Sequence, residues 1–388
     1  MAVSLRQTGT GTTRLRRGPL RDLDHPARVF ALLGPNWFAS VMGTGIVANA
    51  AVTLPLQFTG FRVAATVVWA LAALLLVGLS AAWLVHWIRH PATAKGHSGH
   101  PGMAQFWGAP PMALTTVGTG TLLLGKDWIG LDAAVTVDVI LWTAGAVLGI
   151  ATTVWIPFRM MTGFELGIGN VFAAWLMPVV PPMVSAATGA LLVPHVPEGE
   201  AQRTLLFACY AMFGISLFAT LCVLPQIWQR LVLRKTGTLT NTPTVWIVLG
   251  PLGQSVTAAN LLADAAQPVL GDPYAKAADA FGLLYGVPAF GFALIWLALA
   301  TALTVRAFRN RLPFALTWWS FTFPLGTVVT GASTLDARVH TGLFAVTACV
   351  LYAALVGAWA TVAVRTVRNG YRGRLFTESV AVGEPPER

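Results

Sequence analysis

The side chains able to do chemistry in this 388-residue chain are hydroxyls, amides and aromatic rings set inside uncharged runs. The densest set is Trp318-Trp319-Ser320-Phe321-Thr322-Phe323-Pro324-Leu325-Gly326-Thr327, within an uncharged stretch from 313 to 334 that is long enough to cross a bilayer. A proline in mid-membrane removes an N–H and frees a carbonyl, which in hydrocarbon needs a protein partner or a hydrated cavity. Hydroxyls at Ser320, Thr322, Thr327 and Thr330 need the same. This pattern suits weak contact with a passing polar solute better than bond-making, and it makes the segment one wall of a pore with Phe323, or Phe321, as its plug.

Other signals are weaker. Gly120 to Lys126 has the Gly-x4-Gly-Lys start of a phosphate loop, but Asp127 stands where Ser or Thr is required and no strand precedes it. His86, His90, His97 and His100 cluster at an inner loop. Without an accompanying cysteine or acid, no metal site is expected. Cys209, Cys222 and Cys349 lie within apolar runs and read as packing residues. No span supplies a nucleophile with its base or a buried metal set, so neither an enzyme nor a cofactor is expected.

Composition sets the class. Hydrophobic residues make up 55% of the chain and charged residues 10%, with mean hydropathy +0.67. Soluble domains carry about 25% charged residues, so this is a polytopic membrane protein. Its net charge of +10 follows topology. Placing both termini in the cytoplasm puts 20 of the 25 Lys and Arg on the inner side. The basic excess therefore orients the chain in a plasma membrane and meets anionic lipid, and no nucleic-acid partner is expected. Residues 1–30 read as a basic, disordered tail without a signal peptide, 31–368 as the membrane domain and 369–388 as a loose cytoplasmic tail.

Ten candidate spans fall at about 35–54, 63–88, 104–125, 133–158, 171–193, 204–229, 243–263, 277–305, 313–334 and 341–364. Each odd span contains a helix-kinking proline: Pro35, Pro111, Pro182, Pro251 and Pro324, 76, 71, 69 and 73 residues apart. That period is two spanning helices plus loops. The predicted fold is thus all-α and integral to the membrane: ten transmembrane helices as five helical hairpins in a quasi-five-fold ring around a central pore. Broken polar helices line the axis and plain helices face lipid. Gly43 and Gly45 are expected to let backbones or a substrate approach closely. Gln254 and Asn260 are expected at the pore or a helix contact. Asp138, Asp264, Asp279 and Asp336 fall near outer ends of spans and read as ordinary interfacial residues.

Four motifs, GPNWFASVMGTGI (34–46), PVVPPMVSA (178–186), PTVWIVLGPLGQS (243–255) and WWSFTFPLGT (318–327), resemble the tellurite-resistance/dicarboxylate transporter family. That family includes fungal malate permeases, fungal sulfite efflux pumps and plant slow anion channels. The likeness extends over about residues 25–368. It implies five hairpins around an anion pore, a homotrimer, and a pore phenylalanine on the ninth helix that maps to Phe323, with Phe321 second. The long GPNWF…MGTGI start is closer to the malate and sulfite branches.

The central parts of the five odd spans contain no Asp, Glu, Lys, Arg or His. A fixed cation at the midplane would hold an anion and slow its release, and a carboxylate would repel it. Selectivity then falls to Thr44, Thr116, Ser185, Gln254, Ser255, Ser320 and Thr322, and to freed backbone N–H groups. Taken with this charge-free path, the resemblance implies export of a small anion, either a C4-dicarboxylate such as malate, or sulfite. Proton-coupled dicarboxylate uptake and an inorganic-anion channel (chloride, nitrate) stand as alternatives.

Overall fold

The computed structural model describes residues 19–20, 22–23 and 28–376. Among the described residues the α-helices of twelve residues or more follow the predicted apolar runs: α1 (Phe38–Thr53), α2 (Phe61–Arg89), α3 (Ala109–Gly120), α4 (Leu131–Thr162), α5 (Pro181–Leu192), α6 (Glu200–Arg234), α7 (Leu249–Val269), α8 (Tyr274–Arg309), α9 (Phe323–Val339) and α10 (Gly342–Arg372). No strand occurs among the described residues.

The odd and even helices form two layers. Helices α1, α3, α5, α7 and α9 contact one another in that order and α9 returns to α1, which closes a ring. Each even helix packs on the inner helix before it and also touches the next inner helix, α10 reaching α1. Every residue of α1 from Phe38 to Ala51 is buried. Along the apolar windows long enough to cross a membrane, 83% of Leu239–Val269 is buried against 17–33% in the five even helices. The exposed residues of those outer helices include Val67, Leu74, Val77, Phe218, Leu284 and Val350. Such an apolar exterior needs lipid, not water, as its solvent.

The inner prolines have a different role from the expected kinks. A 3-10 segment precedes each inner α-helix: Pro35–Trp37, Gln105–Gly108, Ala173–Leu176, Leu239–Val248 and Leu316–Phe321. Pro111, Pro182, Pro251 and Pro324 fall within the first three residues of α3, α5, α7 and α9, and Pro35 opens its 3-10 turn. In a first turn the missing N–H has no intrahelical acceptor and the fixed φ is already helical. These prolines therefore start the α-helical parts of the inner elements. The resulting short α-segments explain why, among the described residues, only one inner element meets the length and apolarity of a span, and it does so because its 3-10 segment, Leu239–Val248, runs directly into α7.

Small residues permit the close ring. A Cβ on Gly45 would stand 2.6 Å from the Thr116 methyl of α3, and one on Gly43 would strike Thr322 and Trp319. Buried hydroxyls return their hydrogen to their own helix one turn back, as Thr116 does to the Met112 carbonyl (2.6 Å) and Thr188 to Val184 (2.9 Å). Satisfied in this way, they cost little inside an apolar wall.

The C-terminal boundary expected near 369 lies later. Helix α10 runs through Arg372, and Leu375 and Phe376 are buried beyond it. Phe376 stacks on Trp37 at 5.0 Å, and Arg374 Nε donates to Asp22 Oδ2 at 2.8 Å. An aromatic side chain at the end of the helix thus finds an apolar partner at the base of the first hairpin. The N-terminal segment also departs from the expected disordered tail where it is described: Leu20 and Asp22 donate backbone hydrogen bonds to the Tyr371 and Arg372 carbonyls (2.7 and 2.9 Å), and Leu23 is buried. The rest of both tails lies outside the described residues.

Candidate functional site

The inner wall sorts the candidate side chains into groups. Phe323 opens α9, is 2% exposed and belongs to an apolar cluster drawn from all five inner elements, including Met42, Met112, Val184 and Leu249. Phe321, two residues earlier, packs edge-on against Trp246 (5.3 Å) and Trp318 (5.8 Å). The second ring is held by aromatic neighbours on either side, whereas Phe323 has no ring partner among the described residues.

Gln254 and Ser320 are 5% and 8% exposed, and neither side chain makes a hydrogen bond among the described residues. Ser185 Oγ is buried and without a partner. These three retain free hydrogen-bonding capacity inside the ring. Two other candidates are committed to the outer layer: Trp359 of α10 donates to Thr44 Oγ1 (3.1 Å), and Tyr285 of α8 donates to Ser255 Oγ (2.8 Å). Thr116 packs its methyl toward Gly45, and Thr322 donates to the Trp319 carbonyl (2.7 Å). Sequence spacing does not single out Asn49, yet its Nδ2 donates to the Thr116 carbonyl (3.0 Å) while its Oδ1 is buried without a partner. The single amide side chain of α1 is the signal that finds it.

The α7–α9 seam is polar. Thr257 and Thr330 share a hydrogen bond of 2.8 Å, and Thr327 Oγ1 donates to the Leu249 carbonyl (3.1 Å). At the C-terminal ends of both helices Arg338 donates to Asn260 Oδ1 (2.7 Å) and Asp264 (2.7 Å) and pairs with Asp279. Asn260 is therefore a helix contact, and two of the edge carboxylates form a clasp joining α7, α8 and α9. Asp138 departs from the expected interfacial placement. It is fully buried, its carboxylate oxygens have no hydrogen-bond partner, and it faces Gly118 of α3. The reason is register: Asp138 lies on the buried stripe of α4 with Ala134, Gly145, Gly149, Thr152 and Ile156.

The histidine cluster forms a pair. His86 Nδ1 bonds the Phe30 carbonyl (2.7 Å), so its Nε2 is left to accept from His97 Nε2 at 3.2 Å. His100 Nδ1 accepts from the Met103 N–H and caps a short helix. Among the described residues no group of three or more histidine, cysteine or acidic side chains is set to hold a metal. Burial, reinforced by neighbouring His86 and His100, pushes His97 down to about 4. The neutral imidazole is the form that fits, so its stabilising effect is complete above the free value of about 6.5 and is lost as pH falls toward 4. Thermal midpoints of the wild type and His97→Leu should therefore converge, or cross, between pH 6.5 and 4. A constant gap across that window would refute this.

The comparisons follow the geometry. A family model described as voltage-dependent anion channel (SLAC1) matches residues 33–367. A sulfite efflux pump of Arthroderma otae is 28% identical over 88% of this chain and 92% of its own length. An uncharacterized transporter of Methanocaldococcus jannaschii is 26% identical over 88% and 94%. The malic acid transport protein of Schizosaccharomyces pombe is 22% identical over 74% and 67%. With a match across both layers of the ring, the chain belongs to the voltage-dependent anion channel family, membrane-embedded multi-pass proteins whose members transport small anions.

Proposed function

We propose that this protein conducts a small oxyanion through the axis of the inner ring, with the Phe323 ring as the obstruction. The observation that carries the reading is a closed ring of five inner helices whose apolar cluster includes Phe323, with no ionised side chain from the central parts of those helices. Gln254, Ser320 and Ser185 supply donors of moderate strength, so an anion is stabilised and still released. The N-terminal turns of the α-helical segments add partial positive charge on the side from which the inner elements start.

Sulfite is the substrate favoured by the names of the relatives that align along nearly their whole length. A C4-dicarboxylate such as malate is the second reading, favoured by the malic acid transport protein. With both termini in the cytoplasm of a cell whose plasma membrane is negative inside, direction follows from the field. One charge moving through 100 mV is worth about 2.3 kcal/mol, and a dianion gains about twice that on leaving. The protein is an exporter in this reading, assembled as the homotrimer that the family resemblance implies.

The test is flux from liposomes containing the purified protein, measured for sulfite, malate, chloride and nitrate with and without a pH gradient. Electrogenic sulfite efflux that needs no pH gradient is the expected result. Transport of malate that stops when the gradient is removed would replace the pore with a proton-coupled carrier.

A further inference from the structure

On the outer surface, one face of α10 and Leu71 of α2 line a groove of about 710 Å³. Its apolar length runs from Trp359 past Val364 and Val367 to Tyr371, and Arg368 and Arg372 stand at one end. Val364, Val367, Arg368, Tyr371 and Arg372 follow the three- and four-residue spacing of a single helix face. Thirteen residues separate Trp359 from Arg372, about 20 Å at the helical rise. That matches half of a bilayer roughly 40–45 Å thick with its headgroups. The groove therefore runs the depth of one leaflet and places its cations at headgroup level.

Among the described residues no segment fills it: Val364 and Val367 are 66% and 72% exposed. Its arginine end is unlike the neighbouring positions. Arg365 lies over the Trp318 ring at 4.8 Å, whereas Arg368 is exposed and has no ion pair or hydrogen bond among the described residues. A second surface groove, lined on α4 by Val139, Ile140 and Val147, has no cationic residue in its lining. The Trp359 indole also donates to Thr44 of α1, so the α10 groove lies directly behind an inner helix.

We propose that the α10 groove binds one anionic phospholipid, its acyl chain along Trp359 to Tyr371 and its phosphate at Arg368. The test is native mass spectrometry of the full chain offered phosphatidylglycerol or phosphatidylcholine at equal concentration. Wild type should retain phosphatidylglycerol in clear excess. Each basic residue near an anionic headgroup contributes about 1 kcal/mol, so Arg368→Gln should weaken retention about fivefold. Val364→Trp, which fills the groove without changing charge, should abolish the excess, and Val147→Trp on α4 should leave it intact. Both test positions are exposed, and thermal midpoints of all variants confirm that they fold. Equal retention of the two lipids by wild type, or unchanged preference in both α10 variants, would overturn the assignment.

Discussion

Phe323→Ala should raise sulfite efflux from liposomes about tenfold, the change expected if the ring adds about 1.4 kcal/mol to the barrier for permeation. An apolar constriction opposes an anion by excluding the water that must accompany it, and removing the ring admits that water. The same substitution deletes a buried side chain, and core Phe→Ala changes cost about 3–5 kcal/mol. Flux must therefore be compared per folded protein. Phe321→Ala is the matched control, because it also removes a buried ring two residues away but from the Trp246–Trp318 cluster. It should lower stability without raising flux. If folded Phe323→Ala conducts no better than wild type, the obstruction lies elsewhere in the ring.

Gly253→Ala should be the most damaging single added carbon on the α7–α9 seam. Its Cβ would stand 2.5 Å from the Thr327 carbonyl carbon and the Val328 nitrogen, and 2.7 Å from the Thr327 carbonyl oxygen. These are backbone atoms of the helix that carries Phe323, so no side chain can turn aside to make room. Overpacking of this kind costs about 1–3 kcal/mol. The hydrogen bonds across the seam, Thr257 to Thr330 and Thr327 to Leu249, would lengthen with it. Gly250→Ala is the control, since a Cβ there meets nothing within 4 Å. A lowered thermal midpoint for Gly253→Ala beside an unchanged one for Gly250→Ala is the expected pair. Equal midpoints would show that the two helices are not packed backbone to backbone.

Much of this architecture can be read from the chain because apolar runs and prolines are local signals. The period from Pro111 to Pro182 to Pro251 to Pro324 marks the inner member of each hairpin without any coordinates. What that signal does not reveal is how a proline is used. The same residue can kink a continuous helix or begin one, and the choice depends on whether the preceding turn closes as 3-10, as it does at Leu316–Phe321. Asp138 departs from its expected place for a related reason. Its sequence position near the end of a span suggests an interface, but its angular position on α4 turns it against Gly118.

The amino-acid sequence by itself determined the solvent of this protein, the order of its hairpins and the alternation of plain and broken helices. Each of these follows from hydropathy and backbone chemistry within one turn or one span. The tertiary structure alone decided which polar side chains of the inner helices remain free. Thr44 and Ser255 are engaged by Trp359 and Tyr285, while Gln254 and Ser320 are not. Helices buried on all sides carry no amphipathic stripe to report which face meets the axis. That information exists only in the contacts between helices.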